Sequence, residues 1–172
     1  MSKDFIYVDP SPTADSRTCD YSKVDMETLR RSSIRHINDV QKGMDYLRDI
    51  LNEASKNHDH TKLEEITRFH EDFVANFKGP NTWWRMHLKA ERHHLNVPDG
   101  IRDDVNLLDV LEHIVDNVMA ALARKGTYTP SVLSDELLQK AYANTEKLLL
   151  DHTIVTGTPN EEKKPWLPNG LK

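Results

Sequence analysis

Residues 56–65 read KNHDHTKLEE, in which two histidines flank an aspartate and a lysine follows shortly afterwards. His58 and Asp59 offer an imidazole nitrogen and a carboxylate oxygen at adjacent positions, and a carboxylate can bridge two ions. Nitrogen and oxygen ligands together favour Mn, Fe, Co, Ni or Zn over Mg alone, because Mg is usually held by oxygen. The dipeptide is also typical of a solvated polar turn. It therefore indicates a divalent metal site only if the rest of the chain supplies further ligands.

Further candidate ligands are present in the chain. Nine residues are histidine, and five of these lie between His58 and His93 in the company of acidic residues. A predicted helix later in the chain adds Asp109, Glu112 and Asp116, whose spacing of three and four residues places them on one side of that helix. They lie in the least polar stretch of the protein, where unpaired carboxylates would be costly to bury. Metal coordination would remove this cost, and the alternative is that the acids face solvent.

The elements that must position these residues are predicted to be helices. Apolar side chains recur every three or four residues through most of the chain, and no segment shows β alternation of useful length, which predicts the all-α class. We expect a compact bundle of about five to six helices. The first begins at a capping aspartate, Asp25, and the last is capped by Ser131 or Ser134. The predicted helical segments are residues 25–57, 61–77, 81–94, 105–124 and a last one that runs to residue 150.

The two ends of the chain differ from this pattern. Residues 1–24 include two prolines and no sustained period, which predicts an extended N-terminal arm. Residues 156–172 are polar and rich in Pro and Gly, which predicts an irregular C-terminal tail over residues 153–172 that Trp166 and Leu167 could hold to the body. Residues 25–152 remain as a single helical domain, long enough to bury a core without disulfides.

Composition argues against several classes of function and location. The net charge of −5 comes from 28 acidic and 23 basic residues mixed along the chain, without the basic block that duplex nucleic acid would require. The single cysteine, Cys19, and the lack of a signal-peptide segment or a long apolar run predict a cytoplasmic location and no membrane partner. No Gly-rich phosphate loop or G-x-S-x-G motif is present, which disfavours P-loop enzymes and serine hydrolases. The oligomeric state is not predicted.

The order of the candidate residues resembles that of a family of small, uncharacterised phage and bacterial helical proteins. The family pattern is a His, then H-D-x-S-K about twenty residues later, then a His followed by a His pair, then E-x-x-x-D. The matching positions, within residues 36–125, are His36, His58-Asp59-x-Thr61-Lys62, His87, His93-His94 and Glu112-x-x-x-Asp116. Thr61 stands where serine is more usual. The family in turn looks like a remote branch of the HD superfamily of metal-dependent phosphohydrolases.

The resemblance implies an HD-domain-like bundle that binds one or two divalent ions per chain. Lys62 would face substrate phosphate, and Asp59 and Glu112 would complete the catalytic set. His93, His94 or Glu112 could protonate the leaving oxygen or orient the ligands. The implied metal ligands are His36, His58, Asp59 and Asp116, with His93 and His94 available for a second ion.

The activity implied by the resemblance is hydrolysis of a nucleotide or similar small phosphorylated metabolite by metal-activated water, in the host cytoplasm if the protein is phage-encoded. Two alternatives stay open. One is a non-catalytic protein that sequesters a nucleotide or a metal. The other is a structural helical interaction protein whose histidines form a polar network in the core.

His36 sets a geometric condition on this site. If residues 25–57 formed one straight helix, His36 and His58 would lie about 33 Å apart and could not share an ion. A site that includes His36 therefore predicts a break in the helix, between about residues 48 and 55, that returns the chain antiparallel. Without such a break, His36 lies outside the site.

Overall fold

The computed structural model describes residues 5–9, 24–79 and 82–156. Helices predominate within these residues, which confirms the predicted all-α class. Outside the described residues lie Cys19, the rest of the predicted N-terminal arm, and the tail from residue 157 onward, which includes Trp166 and Leu167. The elements in chain order are β1 (Ile6–Val8), α1 (Met26–Asn57), α2 (His60–Glu64), α3 (Ile66–Val74), α4 (Trp83–Ala90), β2 (Asn96–Val97), β3 (Gly100–Ile101), α5 (Leu107–Lys125), α6 (Asp135–Asp151) and β4 (Thr153–Val155).

The chain forms two compact units. The first unit comprises Met1–Asp49 and Leu149–Lys172, and the second comprises Ile50–Leu148. In the first unit β1 and β4 form a short parallel sheet, with Ile6 opposite Thr153. Part of the predicted arm and part of the predicted irregular tail therefore pair with each other. None of the described helices has the length and apolar composition needed to cross a membrane.

Helix α1 is unbroken over 32 residues, so the predicted break between residues 48 and 55 is wrong. That stretch contains neither proline nor glycine, and Lys56 and Glu53 form an ion pair one turn apart. Gly43 lies within the helix, where the modest cost of a glycine is outweighed by the surrounding turns. At about 1.5 Å per residue, His36 lies roughly 33 Å along this helix from His58 and cannot share an ion with it.

Several predicted helix boundaries are confirmed. Asp25 Oδ1 accepts a hydrogen bond from Thr28 N at 2.7 Å, and Ser134 Oγ accepts one from Leu137 N at 3.3 Å. Ser134 rather than Ser131 therefore caps the last helix. The predicted helix over residues 61–77 is instead divided into α2 and α3 at Glu65.

The hydrophobic core of the second unit consists of Leu95, Val105, Val110, Leu137 and Ala141, which come from α5, α6 and the chain between α4 and α5. That connecting chain contains the antiparallel β2–β3 hairpin. Gly100, the first residue of β3, has a φ of 118°, a conformation that glycine adopts without steric cost. This core fixes α5 relative to the segment that follows α4, and both carry candidate site residues.

The first turn of α5 depends on Asp109, which is buried. Its side chain accepts the backbone N–H of Asn106 in a capping box and forms a two-pronged pair with the guanidinium of Arg92, at 2.7 and 2.8 Å. Asp109 therefore has a structural role, unlike the two other acids in the predicted set of three.

We expect Asp109→Asn to lower the free energy of unfolding by about 1–2 kcal/mol, because it removes a charge-assisted pair and weakens the cap. Urea unfolding would measure this change in the free energy of unfolding, and the slope of that free energy against urea concentration should stay the same. Asp103→Asn is the matched control, since Asp103 pairs with Lys140 on the surface and should contribute less than about 1 kcal/mol. Equal effects of the two substitutions would contradict the assigned role of Asp109.

Candidate metal centre

The turn between α1 and α2 presents His58 and Asp59. Asp59 has a left-handed backbone, with φ 57° and ψ 21°, a conformation that aspartate tolerates better than most residues. The turn allows α2 to begin directly at His60. Lys62 is the third residue of α2, and its ammonium group donates a hydrogen bond to Asp59 Oδ2. Residues 58–62, the predicted HDxTK segment, thus form a tight turn in which Lys62 contacts Asp59.

Helix α4 and the chain after it supply three histidines. His87 is 0% exposed, and its ring stacks on Trp83 and Trp84 with ring centroids 4.7 and 5.2 Å away. His93 and His94 follow the end of the helix, and their ring centroids are 4.2 Å apart. The aromatic packing holds His87 in place and keeps water from one side of the cluster.

One group of potential ligands consists of Asp59, His87, His93 and His94, whose ligand atoms all lie within 4.8 Å of one another. The Nε2 atoms of His87 and His94 are 2.9 Å apart, and Asp59 Oδ1 is 3.4 Å from His87 Nε2 and 3.7 Å from His93 Nε2. Ligands bound at about 2.0–2.2 Å from one ion lie roughly 2.9–3.5 Å from their neighbours. These distances are therefore close to those of a ligand set.

A second group consists of His58, His93 and Glu112. Glu112 Oε1 is 2.8 Å from His58 Nδ1 and 3.3 Å from His93 Nδ1. The other nitrogen of His58 lies 3.6 Å from Asp59 Oδ2 and 3.6 Å from Asp116 Oδ1. Because both oxygens lie 3.6 Å from the same nitrogen, Asp59 Oδ2 and Asp116 Oδ1 are separated by no more than twice 3.6 Å. Asp116 lies beside the cluster without belonging to either group.

Hydrogen bonds around His87 determine which of its nitrogens carries the proton. The Thr61 hydroxyl donates its hydrogen to Glu91 Oε1 at 2.6 Å, so it must accept from His87 Nδ1, which is 2.8 Å away. His87 Nε2 is then left with a lone pair directed at Asp59 and His94. Such support from a neighbouring carboxylate and hydroxyl is typical of histidines that bind metals.

Burial keeps two of these imidazoles neutral. It lowers the pKa of His87 to about 4 and that of His94 to about 3, and the neighbouring histidines add to the effect at His94. Burial also lowers the pKa of His93, with the charge of His58 acting in the same direction. At neutral pH these histidines are in the neutral form that ligates metals, so binding need not displace protons from them.

The charge around His58 favours a cation. Burial lowers the pKa of His58, but the hydrogen bond to Glu112 and the charges of Asp59 and Asp116 outweigh it, and the net shift is upward. The carboxylates of Asp59, Glu112 and Asp116 surround His58. In the described part of the chain, Lys62 is the basic side chain that contacts one of these carboxylates, that of Asp59. The resulting negative potential would stabilise a divalent ion.

Asp59 lies between the two groups. Burial raises the pKa of the Asp59 carboxyl, but the hydrogen bond and the charge of Lys62 lower it by more. The net shift of the pKa is downward, so the carboxylate stays ionised. Its Oδ2 faces His58 and Lys62, and its Oδ1 is buried and has no hydrogen-bond partner among the described residues. A buried carboxylate oxygen without a partner is costly. Coordination of an ion by Oδ1 would offset this cost, so the donor set fits a divalent metal.

The structure brings together most of the sequence-predicted residues. His58, Asp59, Lys62, His93, His94 and Glu112 lie in or against the two groups, Asp116 adjoins them, and His36 does not join them. His87 belongs to the matched pattern but was not predicted as a ligand, and Glu91 was not predicted at all. The place of His87 in that pattern, just before the His93-His94 pair, could have indicated it.

We expect Thr61→Val to weaken metal affinity by about 10–100-fold, because the proton on His87 would no longer be confined to Nδ1. Thr61→Ser keeps the hydroxyl and should restore most of the affinity. Isothermal titration of the apoprotein with Mn²⁺ would measure both variants. Equal affinity in the valine and serine variants would show that the hydroxyl does not act on the site.

Comparison of the chain with protein-family models, with curated proteins and with solved structures finds no significant match.

Proposed function

We propose that the protein is a metal-dependent phosphohydrolase that acts on a small phosphorylated metabolite, with nucleotides as one candidate class. The observation that carries this proposal is the half-buried Asp59, whose unpartnered Oδ1 lies 3.4 Å from His87 Nε2 and 3.7 Å from His93 Nε2, with Lys62 at its side. The order of these residues along the chain resembles that of HD-superfamily hydrolases, which supports the same reaction class. The HD-like form of the bundle is likewise part of the proposal.

Two adjacent sets of side chains would hold the metal. Asp59 Oδ1 with the α4-side histidines, His87, His93 and His94, provides one set, and His58 Nε2 with Asp59 Oδ2 and Asp116 provides the other. A divalent ion bound there would supply a Lewis acid and lower the pKa of water. Asp59 belongs to both sets, because its Oδ1 faces His87 and His93 and its Oδ2 faces His58.

The remaining site residues would orient the ligands and bind the phosphoryl group. Glu112 accepts a hydrogen bond from His58 Nδ1, which leaves Nε2 free to act as a ligand, so Glu112 is assigned a positioning role. Lys62 would place its positive charge against the phosphoryl oxygens as negative charge develops on them. Hydrolysis breaks the bond between phosphorus and the ester oxygen and forms a bond between phosphorus and the water oxygen. One water proton stays on the phosphate, and the other passes to the leaving oxygen.

Elemental analysis of protein purified without an affinity tag tests the first part of this proposal, since a histidine tag would itself bind metal. We expect at least one Mn, Fe, Co, Ni or Zn ion per chain. Incubation of the loaded protein with a panel of phosphoesters, in Mn, Co, Ni or Mg, should then release phosphate. Tight binding of one compound without phosphate release would instead favour the sequestering alternative, and protein that neither contains nor binds metal would favour a structural role.

A further inference from the structure

A groove of about 470 Å³ lies beside the candidate metal centre in the second unit. Its walls are largely apolar. Leu51 and Ala54 come from the end of α1, and Leu111, Val115 and Met119 form a stripe along α5 at intervals of four residues. The three α5 side chains are about half exposed. An apolar surface left open to water in this way is typical of a binding groove.

The groove and the candidate metal centre share residues. His58, Glu112 and Asp116 also line the groove, and Ser55 is the other polar residue in its lining. No lysine or arginine lines it within the described part of the chain. A ligand with its phosphate at the metal centre could therefore extend its remaining atoms along apolar side chains, whereas a second phosphate would meet two carboxylates and no basic group.

We propose that this groove binds the organic group of the substrate, and that the substrate is a phosphomonoester of a largely apolar or aromatic group and not a polyphosphate. The inference rests on the proposed function, because it assumes that the phosphate lies at the metal centre. The volume is within the usual range for small-molecule sites, about 300–1,000 Å³. The apolar lining has few groups that could hydrogen-bond to a polar leaving group, and it favours a ring or an alkyl chain.

Binding of two phosphonates tests this proposal without requiring turnover, because their carbon–phosphorus bond is not hydrolysed. Isothermal titration of Mn-loaded protein would compare phenylphosphonate with methylphosphonate. At about 25 cal/mol per Å² over roughly 60–90 Å² of additional buried ring surface, we expect phenylphosphonate to bind about 10–50-fold more tightly.

Val115→Asn should reduce this preference at least fivefold and leave metal content and methylphosphonate affinity unchanged. Val115 is 58% exposed, so the substitution should not prevent folding. Val132→Asn is the matched control, because Val132 is 95% exposed and does not line the groove. Met119→Gln, which keeps the size of the side chain, provides a second variant with the same expected effect.

The results of these titrations distinguish failure of the groove proposal from failure of the proposed phosphohydrolase activity. A phenyl preference that the groove variants reduce supports the proposal, even if no ester is hydrolysed and only the catalytic claim fails. Equal affinity for the two phosphonates overturns the groove assignment, including when phosphoester hydrolysis is retained. If neither phosphonate binds the Mn-loaded protein, both proposals fail. A change of oligomeric state in Val115→Asn, seen by light scattering without any change in phenyl preference, would overturn the proposal in favour of a second copy covering the groove.

Discussion

Chelation of divalent metal is expected to lower the melting temperature of the protein by roughly 5–10 °C, and Asp59→Asn to abolish this response. Ligands that converge only in the folded state make metal binding a stabilising contribution, of about 2.7 kcal/mol when free metal is 100 times the dissociation constant. For a chain of this size each kcal/mol corresponds to about 2–4 °C. Calorimetry or circular dichroism, with and without EDTA, would measure the shift.

Asparagine is the informative replacement at this position. It keeps the size of the side chain and tolerates the left-handed backbone of Asp59, whereas alanine would add backbone strain to the loss of a ligand. Asp99→Asn serves as the control, because Asp99 is exposed in the hairpin turn and outside both ligand groups. An identical melting curve with and without EDTA, in wild-type protein shown to contain metal, would contradict the prediction.

Replacement of Lys62 by alanine is expected to lower phosphoester turnover by about 10²–10³-fold while metal content stays at the wild-type level. The reason is that the charge of Lys62 would act on the phosphoryl oxygens in the transition state, and loss of one such interaction has an effect of this size. Asp116→Ala, in contrast, should lower both metal content and turnover. Steady-state kinetics combined with elemental analysis would distinguish the two variants.

Lys56→Ala is the matched control for Lys62, because Lys56 makes an exposed ion pair with Glu53 on α1. It should leave both turnover and metal content unchanged. A Lys62 variant that loses metal would show that the lysine acts through its hydrogen bond to Asp59. A Lys62 variant with wild-type turnover would remove the lysine from the catalytic set.

The sequence by itself was sufficient to predict the features that depend on neighbouring residues. The helical periods, the cap at Asp25 and the cap at Ser134 are confirmed because a helix and its first turn are specified within a few positions of the chain. The adjacency of His58 and Asp59, and the placement of Glu112 and Asp116 one turn apart on α5, follow from spacing in the same way. These local features were enough to indicate where ligands for a divalent ion should be sought.

Only the tertiary structure decided which residues meet. The continuous α1 separates His36 from His58, since the polar residues at 48–55 favour a helix as readily as a loop. Thr61 orients His87, which is 26 residues away in sequence, and the Thr61 hydroxyl is itself oriented by Glu91, which is 30 residues away. Residues 6–8 pair with residues 153–155 at the other end of the chain. Such contacts depend on packing between distant segments, and the period or spacing of either segment alone carries no information about its partner.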